Sequence, residues 1–353
     1  MTDILIQPPT TERALATVET ILDVQPIPDA DAIERVRVRG WDVVVKKGEF
    51  SIGDPCVYIE VDSHLDTTDP RFAFLAPRGV RTDALTGFTG HVLKTAKLRG
   101  QYSQGIVFPL SEFPEVAGLD FGTDVTDVLR VRKWDPPLPA GIAGDVAGNF
   151  PAQFPKTDEE RIQNVSEPLR ARDVEWVATE KVDGTSMTVF ILGDQDGVAG
   201  RNYEFKRNED HSMWKKALEL DLHNRLRSAF PDANTIALQG ELFGPGIQKN
   251  PLQLRDVTFA AFTLIVDGQE LPRDSWPQFV LDIAVPVYDL PYPHTSDEAL
   301  AQVDGLKSLV NPQRNAEGVV WRAKTTSKIV VDGKVIRASW KAISNKYAMK
   351  NDA

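Results

Sequence analysis

The sequence predicts an α+β protein: a small β-barrel at the N-terminus, then a larger domain of antiparallel sheets flanked by helices. Three observations carry this reading. Short β-prone runs cut by Pro, Asp and Gly fill residues 13–62, the signature of a small barrel. Pro136, Pro137, Pro139, Gly141, Gly144, Gly148, Pro151 and Pro155 then interrupt any regular element and mark a linker over 136–156. Beyond it, β-prone runs around residues 174–192, 239–244, 257–264 and 317–322 alternate with helical stretches. At 353 residues the chain exceeds one core of ordinary size, so domains are expected over 1–135 and 157–353.

Within the first domain, strands are expected over 14–24, 32–38, 41–45 and 55–61. Arg35, Arg37 and Arg39 alternate with Val36 and Val38, which sets three guanidinium groups on one strand face. Such a basic face on a small barrel suits nucleic acid, as in barrels of the OB type. Residues 63–90 read as an irregular insertion. The run from Ala84 to Ser111 contains no acidic residue and carries Lys94, Lys97 and Arg99. Arg35, Arg37, Arg39, Lys97 and Arg99 are therefore candidate nucleic-acid contacts.

Overall charge argues the other way. The chain has 40 Lys and Arg against 51 Asp and Glu, a net charge of −11. Local distribution decides the question. From Gly318 to Lys350 there are eight cations and one acid, Asp332, enough to hold a polyphosphate. The single cysteine, Cys56, cannot form an internal disulfide and reads as a small buried residue. The five histidines lack metal-ligand spacing, and neither a Walker loop nor a nucleophile-elbow serine is present. With no run of eighteen apolar residues and no basic leader, a cytoplasmic protein without a membrane partner is expected, acting as a monomer.

The second domain opens with Thr157-Asp158-Glu159-Glu160, a capping box predicting a short helix that carries Arg161 and Gln163. Next comes Thr179-Glu180-Lys181-Val182-Asp183-Gly184-Thr185-Ser186, between two β-prone runs. This predicts a hairpin with Lys181 at its lip and Gly184 allowing a ligand close to the backbone. A helix is expected over 211–230, with Trp214, Ala217, Leu218 and Leu222 as its core stripe and Lys215, Lys216, Arg225 and Arg227 opposite. Another is expected over 296–309. Gly200-Arg201-Asn202, Gln239-Gly240-Glu241, Phe262, Glu317-Gly318-Val319-Val320-Trp321-Arg322 and Ser339-Trp340-Lys341-Ala342 each lie in or beside a β-prone run. All could converge on one sheet-lined pocket.

In this order and spacing these stretches resemble motifs I, Ia, III, IIIa, IV and V of the covalent nucleotidyltransferases, the polynucleotide ligases and mRNA capping enzymes, over residues 155–350. The first domain is similar to tRNA-binding OB modules, through Asp31-Ala32-Ile33-Glu34-Arg35-Val36 and the stretch from Lys97 to Ile106. Ligases and capping enzymes of other types follow motif V with an OB domain, and the stretch after Lys341 is too short for one. The chain therefore looks like the Deinococcus-type ATP-dependent RNA ligases, with an N-terminal OB-like module ahead of an ATP-grasp-like ligase domain.

That resemblance implies ATP and Mg2+ or Mn2+ as cofactors, and RNA or RNA-containing duplex with 3′-OH and 5′-phosphate ends as partner. It implies an AMP linked to Lys181 and passed to a 5′-phosphate before sealing. By motif, Glu241 binds the ribose, Glu317 orients the metal, and Arg201 holds ribose or the incoming 5′-phosphate. Glu180 with its backbone faces the adenine edge, Val182 and Gly184 belong to the cofactor site, Phe262 stacks on the purine, and Thr185 and Ser186 border the phosphate path. Lysine attacks only as the free amine, so nearby cations that lower its pKa are needed, a task that Lys341 and Arg322 suit. At motif V many relatives have two lysines separated by one residue, whereas Ser339 and Ile343 flank Lys341 here. The second cation stays open among Lys334, Arg337 and Lys346. A guanylyltransferase on the same core and a non-catalytic RNA-binding protein are the alternatives these residues also allow.

Overall fold

A computed structural model describes residues 13–83, 86–135, 144–165, 174–325, 328–331 and 334–351. The chain divides into two compact units, Met1–Pro137 and Leu138–Ala353.

In the first unit, β1 (Ala16–Thr20), β2 (Asp23–Pro26), β3 (Ile33–Val38), β4 (Trp41–Lys46) and β5 (Pro55–Ile59) are followed by β6 (Ser63–Leu65), β7 (Arg81–Thr82) and β8 (Thr89–Val92). A hairpin of β9 (Ala96–Leu98) and β10 (Gln101–Ser103), then β11 (Ile106–Pro109) and β12 (Arg132–Lys133), complete it. The strands do not close into one barrel. They form sheets β1–β5–β11, β2–β3–β4 and β12–β6–β8–β7 beside the β9–β10 pair. Alternation explains the packing. Val36, Val38, Trp41, Val43 and Val45 turn to one core with Cys56 and Tyr58, while Val57 and Ile59 enter another with Phe72, Phe108 and Phe113. Burying β5 on both faces is what its unbroken apolar run requires. Residues 63–90 are not an irregular insertion: they supply three strands or strand starts, and Leu65, Phe72 and Leu75 to the core.

The second unit is built on two sheets. A seven-stranded antiparallel sheet takes β13 (Val146–Asn149), β16 (Thr185–Leu192), β17 (Gln195–Ala199), β18 (Tyr203–Phe205), β19 (Thr235–Phe243), β20 (Thr258–Val266) and β21 (Gln269–Glu270). A five-stranded sheet takes β14 (Glu160–Arg161), β15 (Trp176–Lys181), β22 (Val287–Tyr288), β23 (Gly318–Ala323) and β26 (Ser339–Ile343), in the order β14–β26–β23–β15–β22. The pair β24 (Lys328–Val331) and β25 (Lys334–Arg337) forms a separate hairpin. Among the described residues the unit has five helices: α1 (Ser212–Glu219), α2 (Leu222–Ala229), α3 (Gln278–Leu281), α4 (Ser296–Val303) and α5 (Asn345–Asn351).

Several sequence expectations are corrected by tertiary structure. Of the linker, residues 136–143 lie outside the described residues, but Val146–Asn149 is a strand paired with β18, and Phe154 packs on Phe190. The capping box at Thr157 opens no helix. Glu160 and Arg161 pair in parallel with β26, and a 3-10 turn over Ile162–Asn164 follows. Burying Ile162 against the sheet outweighs the local cap signal. The single helix expected over 211–230 is two, broken at Asp221, whose φ of 50° is left-handed and tolerable for an aspartate. The break lets Met213, Trp214, Ala217, Leu222 and Leu226 all reach the same core of the seven-stranded sheet. The helix expected over 296–309 is α4, which stops at Val303, with Thr295 capping it by accepting from the Glu298 amide at 3.1 Å. Among the described residues no helix is long and apolar enough to cross a membrane.

The Lys181 hairpin is also corrected: β15 and β16 belong to different sheets, so Val182-Asp183-Gly184 is a crossover between them. Gly184 is needed there for close approach, since a Cβ would lie 2.3 Å from the Leu242 carbonyl oxygen on β19. Gly184→Ala must push back the strand carrying Glu241. Its urea midpoint is expected to drop, by about 1–3 kcal/mol of stability; an unchanged midpoint would contradict this packing.

Candidate active site

The crossover brings one lysine to the edge of both sheets. Strand alternation on β15 turns Trp176, Ala178 and Glu180 to one face and Val177, Thr179 and Lys181 to the other. Lys181 sits opposite Gly318 of β23, and its Nζ donates to Glu317 Oε2 at 2.7 Å. Glu241, on β19 opposite Ser186, and Asp183, in the crossover, act electrostatically on the same ammonium. Asp183 is held by Tyr347 of α5, whose hydroxyl donates to Oδ2 at 2.8 Å. The Glu317 carbonyl accepts from the Ser344 amide at 2.9 Å, which ties the start of α5 to the strand carrying this carboxylate.

Charge in this cluster runs opposite to the sequence expectation. Burial alone would depress the Lys181 pKa, but Glu317, Glu241 and Asp183 outweigh it and hold the ammonium above the ordinary lysine value. Neither Lys341 nor Arg322 is a principal influence on it. Lys341 lies opposite Val320 and instead favours the charged form of Glu317, whose pKa is nonetheless raised by burial. Burial pushes the Glu241 carboxyl up to about 8, against Lys181 and with help from Glu317 and Asp183.

Arg322 stands two residues further along β23 than Val320, about 7 Å by strand geometry. Its guanidinium covers the Phe262 ring at 5.1 Å and donates to Glu159 at 2.6 Å. Phe262 is the extra residue of a bulge in β20: Thr263 faces Gln239 while Ala261 faces Gly240. Val177, Thr179, Phe262, Trp276, Arg322 and Arg337 line a cleft. Arg337 pairs with Glu159 at 3.4 Å and with Glu270 at 3.3 Å. Of the other second-cation candidates, Lys346 pairs with Asp304 at 2.9 Å on the surface, and the Lys334 side chain lies outside the described residues.

Other predicted residues take different places. Glu180 is buried on the opposite face from Lys181 and accepts from the Leu309 amide at 2.7 Å, with burial raising its pKa. Val182 packs in a small core with Phe243, Leu252 and Val285. Arg201 is half-exposed and paired with Asp158 at 2.7 Å. Next to it, Thr157 and Ser186 share a hydroxyl hydrogen bond of 2.7 Å. In the first unit, Arg35 pairs with Asp23 and Asp42 and Arg37 with Asp42, while Arg39 is not on that strand face but in the turn after β3, with a left-handed φ of 52°, and pairs with Glu19; carboxylates offset all three. Lys97 and Arg99 are exposed on the β9–β10 hairpin, Lys97 over the Tyr102 ring at 4.8 Å.

Sequence reasoning missed Asp183, seen only as a turn former, and Tyr347, which has no motif around it. It missed Glu159 too, read as part of a helix cap. The first was available from its place two residues after the lysine. The other two depend on contacts across more than 160 residues of sequence.

Among the described residues no group of three or more His, Cys, Asp or Glu forms a cluster able to hold a metal ion alone. One or two carboxylates beside bound phosphates are the usual seat of Mg2+, and Glu317 with Asp183 fits that mode.

Comparison with known proteins identifies the two units. Residues 15–110 match an OB-fold domain model, and residues 174–343 match the RNA ligase model. No curated protein sequence matches the chain. Among solved structures, a Naegleria gruberi RNA ligase is similar as an apo variant, as a variant with ATP and Mn, and with pyrophosphate. Each is 36% identical with a TM-score of 0.84, covering 96–97% of this chain and 98–99% of its own. With an OB-fold unit, a lysine–carboxylate site between two sheets, and this likeness over nearly its full length, the chain belongs to the RNA ligase family.

Proposed function

We propose that this protein is an ATP-dependent RNA ligase that joins 3′-OH and 5′-phosphate ends, at nicks in duplexes, through a lysyl-AMP intermediate. The observation that carries the reading is Lys181 Nζ at 2.7 Å from Glu317, with Glu241 and Asp183 around it. A half-buried lysine ringed by carboxylates is a poor phosphate site and a poor structural ion pair. It is a positioned nucleophile that must lose a proton before it reacts.

In the first step the free amine of Lys181 attacks the α-phosphorus of ATP, a P–N bond forms, and pyrophosphate leaves with the electrons of the broken P–O bond. Lys341, on β26 two strands from Lys181, offsets phosphate charge, and Arg201 holds ribose or the incoming 5′-phosphate. Glu241, able to hold a proton near neutral pH, both donates to and accepts from ribose hydroxyls. Phe262 offers its face to the purine, with Arg322 at that end of the cleft. In the second step a 5′-phosphate oxygen takes the AMP from Lys181, restoring the amine. In the third a 3′-OH attacks the adenylated phosphate and AMP departs. A divalent cation held by Glu317 supplies, when bound, positive charge against the phosphates and against the carboxylates that keep Lys181 protonated. Lys97 and Arg99, exposed on the β9–β10 hairpin, contact the RNA strand.

The test is sealing of a nicked duplex with RNA or DNA on either side of the break. Wild type is expected to seal with RNA at the 3′-OH side and Lys181→Ala to seal nothing; equal sealing by both would end the proposal. Because attack needs the amine and Lys181 is held protonated, the initial rate of adduct formation should climb as pH rises through 7 to 10. A flat profile would show that deprotonation does not limit the step. Glu241→Gln, which mimics the protonated carboxyl, should raise KM for ATP only a few-fold, while Glu241→Ala should raise it about tenfold or more, roughly 1.4 kcal/mol. Equal loss in both would mean that the charged form binds the ribose.

A further inference from the structure

The first unit carries a side-chain cluster that belongs to none of its cores and to none of the chemistry above. His64 on β6 is buried, with Nε2 at 3.0 Å from the Arg81 carbonyl oxygen. Its ring meets Phe88 edge-on at 4.7 Å and Trp134 edge-on at 5.0 Å. The guanidinium of Arg132 lies 4.3 Å from the Phe88 centroid, and that of Arg81 lies 5.7 Å from the Trp134 centroid. The result is a run of five side chains, Arg132–Phe88–His64–Trp134–Arg81, capped at each end by a cation. It spans the sheet β12–β6–β8–β7, where Arg132 faces His64 and Arg81 faces Gly90.

Both arginines are exposed and both rings half-buried, and among the described residues neither guanidinium pairs with a carboxylate. That separates them from Arg35, Arg37 and Arg39, whose charges are offset within the unit. The neighbouring turn carboxylate, Asp83, accepts from the Thr86 amide at 3.1 Å. The acid-free run beginning at Ala84 includes Phe88 and all of β8. A guanidinium stacked on a ring has lost much of its rotamer freedom and keeps its N–H edge toward solvent, which is the preparation that bidentate phosphate binding needs.

We propose that this stack is an RNA-backbone site of the first unit, in which Arg81 and Arg132 each take one phosphate of the substrate strand. Phe88, His64 and Trp134 are positioning residues that fix the two guanidiniums. The identity of the ligand as RNA rests on the ligase reading.

The test compares full-length wild type with Arg81→Gln/Arg132→Gln, measuring anisotropy of a labelled nicked RNA duplex over a range of salt, without ATP. Losing two phosphate contacts should reduce the slope of log affinity against log salt by about 1.4–1.8 and weaken binding about tenfold at low salt. AMP-adduct formation should stay at the wild-type rate, and sealing should fall through KM for the nicked duplex with kcat retained. Arg81→Lys/Arg132→Lys should keep the slope, since charge is preserved, and lose affinity a few-fold with the stack. Unchanged slope and affinity in the Gln variant would overturn the site, as would an equal loss of adduct formation. The binding arm uses no nucleotide, so a wild type that forms no AMP adduct would sink the ligase reading and leave this comparison standing.

Discussion

The ion pair between Lys181 and Glu317 is the constraint around which the second unit is arranged. It joins the last residue of one strand to the residue preceding another, and both must end at the same level of the sheet. The crossover at Asp183-Gly184 follows, because the chain has to leave the five-stranded sheet there and enter the seven-stranded one beside Glu241. Gly184 lacks a side chain because the Leu242 backbone occupies that space. Helix α5 closes the same region, with Tyr347 on Asp183 and Ser344 on Glu317.

Burial and charge compete at this lysine, and the carboxylates win. Burial alone would lower the pKa of this amine, whereas three acids raise it above the ordinary lysine value. The cations that sequence reasoning placed beside it serve other acids. Arg322 and Arg337 share Glu159, and their charge holds its carboxyl below the usual range although burial opposes them. Two regions of opposite charge result: the acids around Lys181, and the arginine-rich cleft around Phe262 that Arg322 and Arg337 line. The same logic applies in the first unit. Arg35 and Arg37 are neutralised by acids on neighbouring strands, whereas Arg81 and Arg132, stacked on Trp134 and Phe88, keep their charge for a partner.

Much of this was legible in the sequence because motif spacing encodes strand ends. Lys181, Glu241 and Glu317 each sit in or beside a β-prone run, and the structure brings all three together. The family and the α+β class were legible for the same reason. What was hidden depends on contacts distant in sequence. The pattern around Asp183-Gly184 is that of a hairpin turn, and only pairing with β19 and β23 shows two sheets. Thr157 to Glu160 has every local mark of a helix start, yet Ile162 gains more by burial against β26. The alternation of Arg35 and Arg37 was correct as geometry, but the acids facing them, Asp23 and Asp42, lie on strands whose register no local pattern fixes. The cluster of His64, Phe88 and Trp134 was hidden among residues that looked irregular.

Lys181 Nζ is the atom proposed to bond the phosphorus of AMP. Incubating the full chain with ATP and Mg2+, followed by intact mass measurement and peptide mapping, tests it most directly. The account predicts one AMP per chain, located on the peptide containing Lys181. No adduct, or an AMP mapped to Lys341 or any other residue, would contradict it.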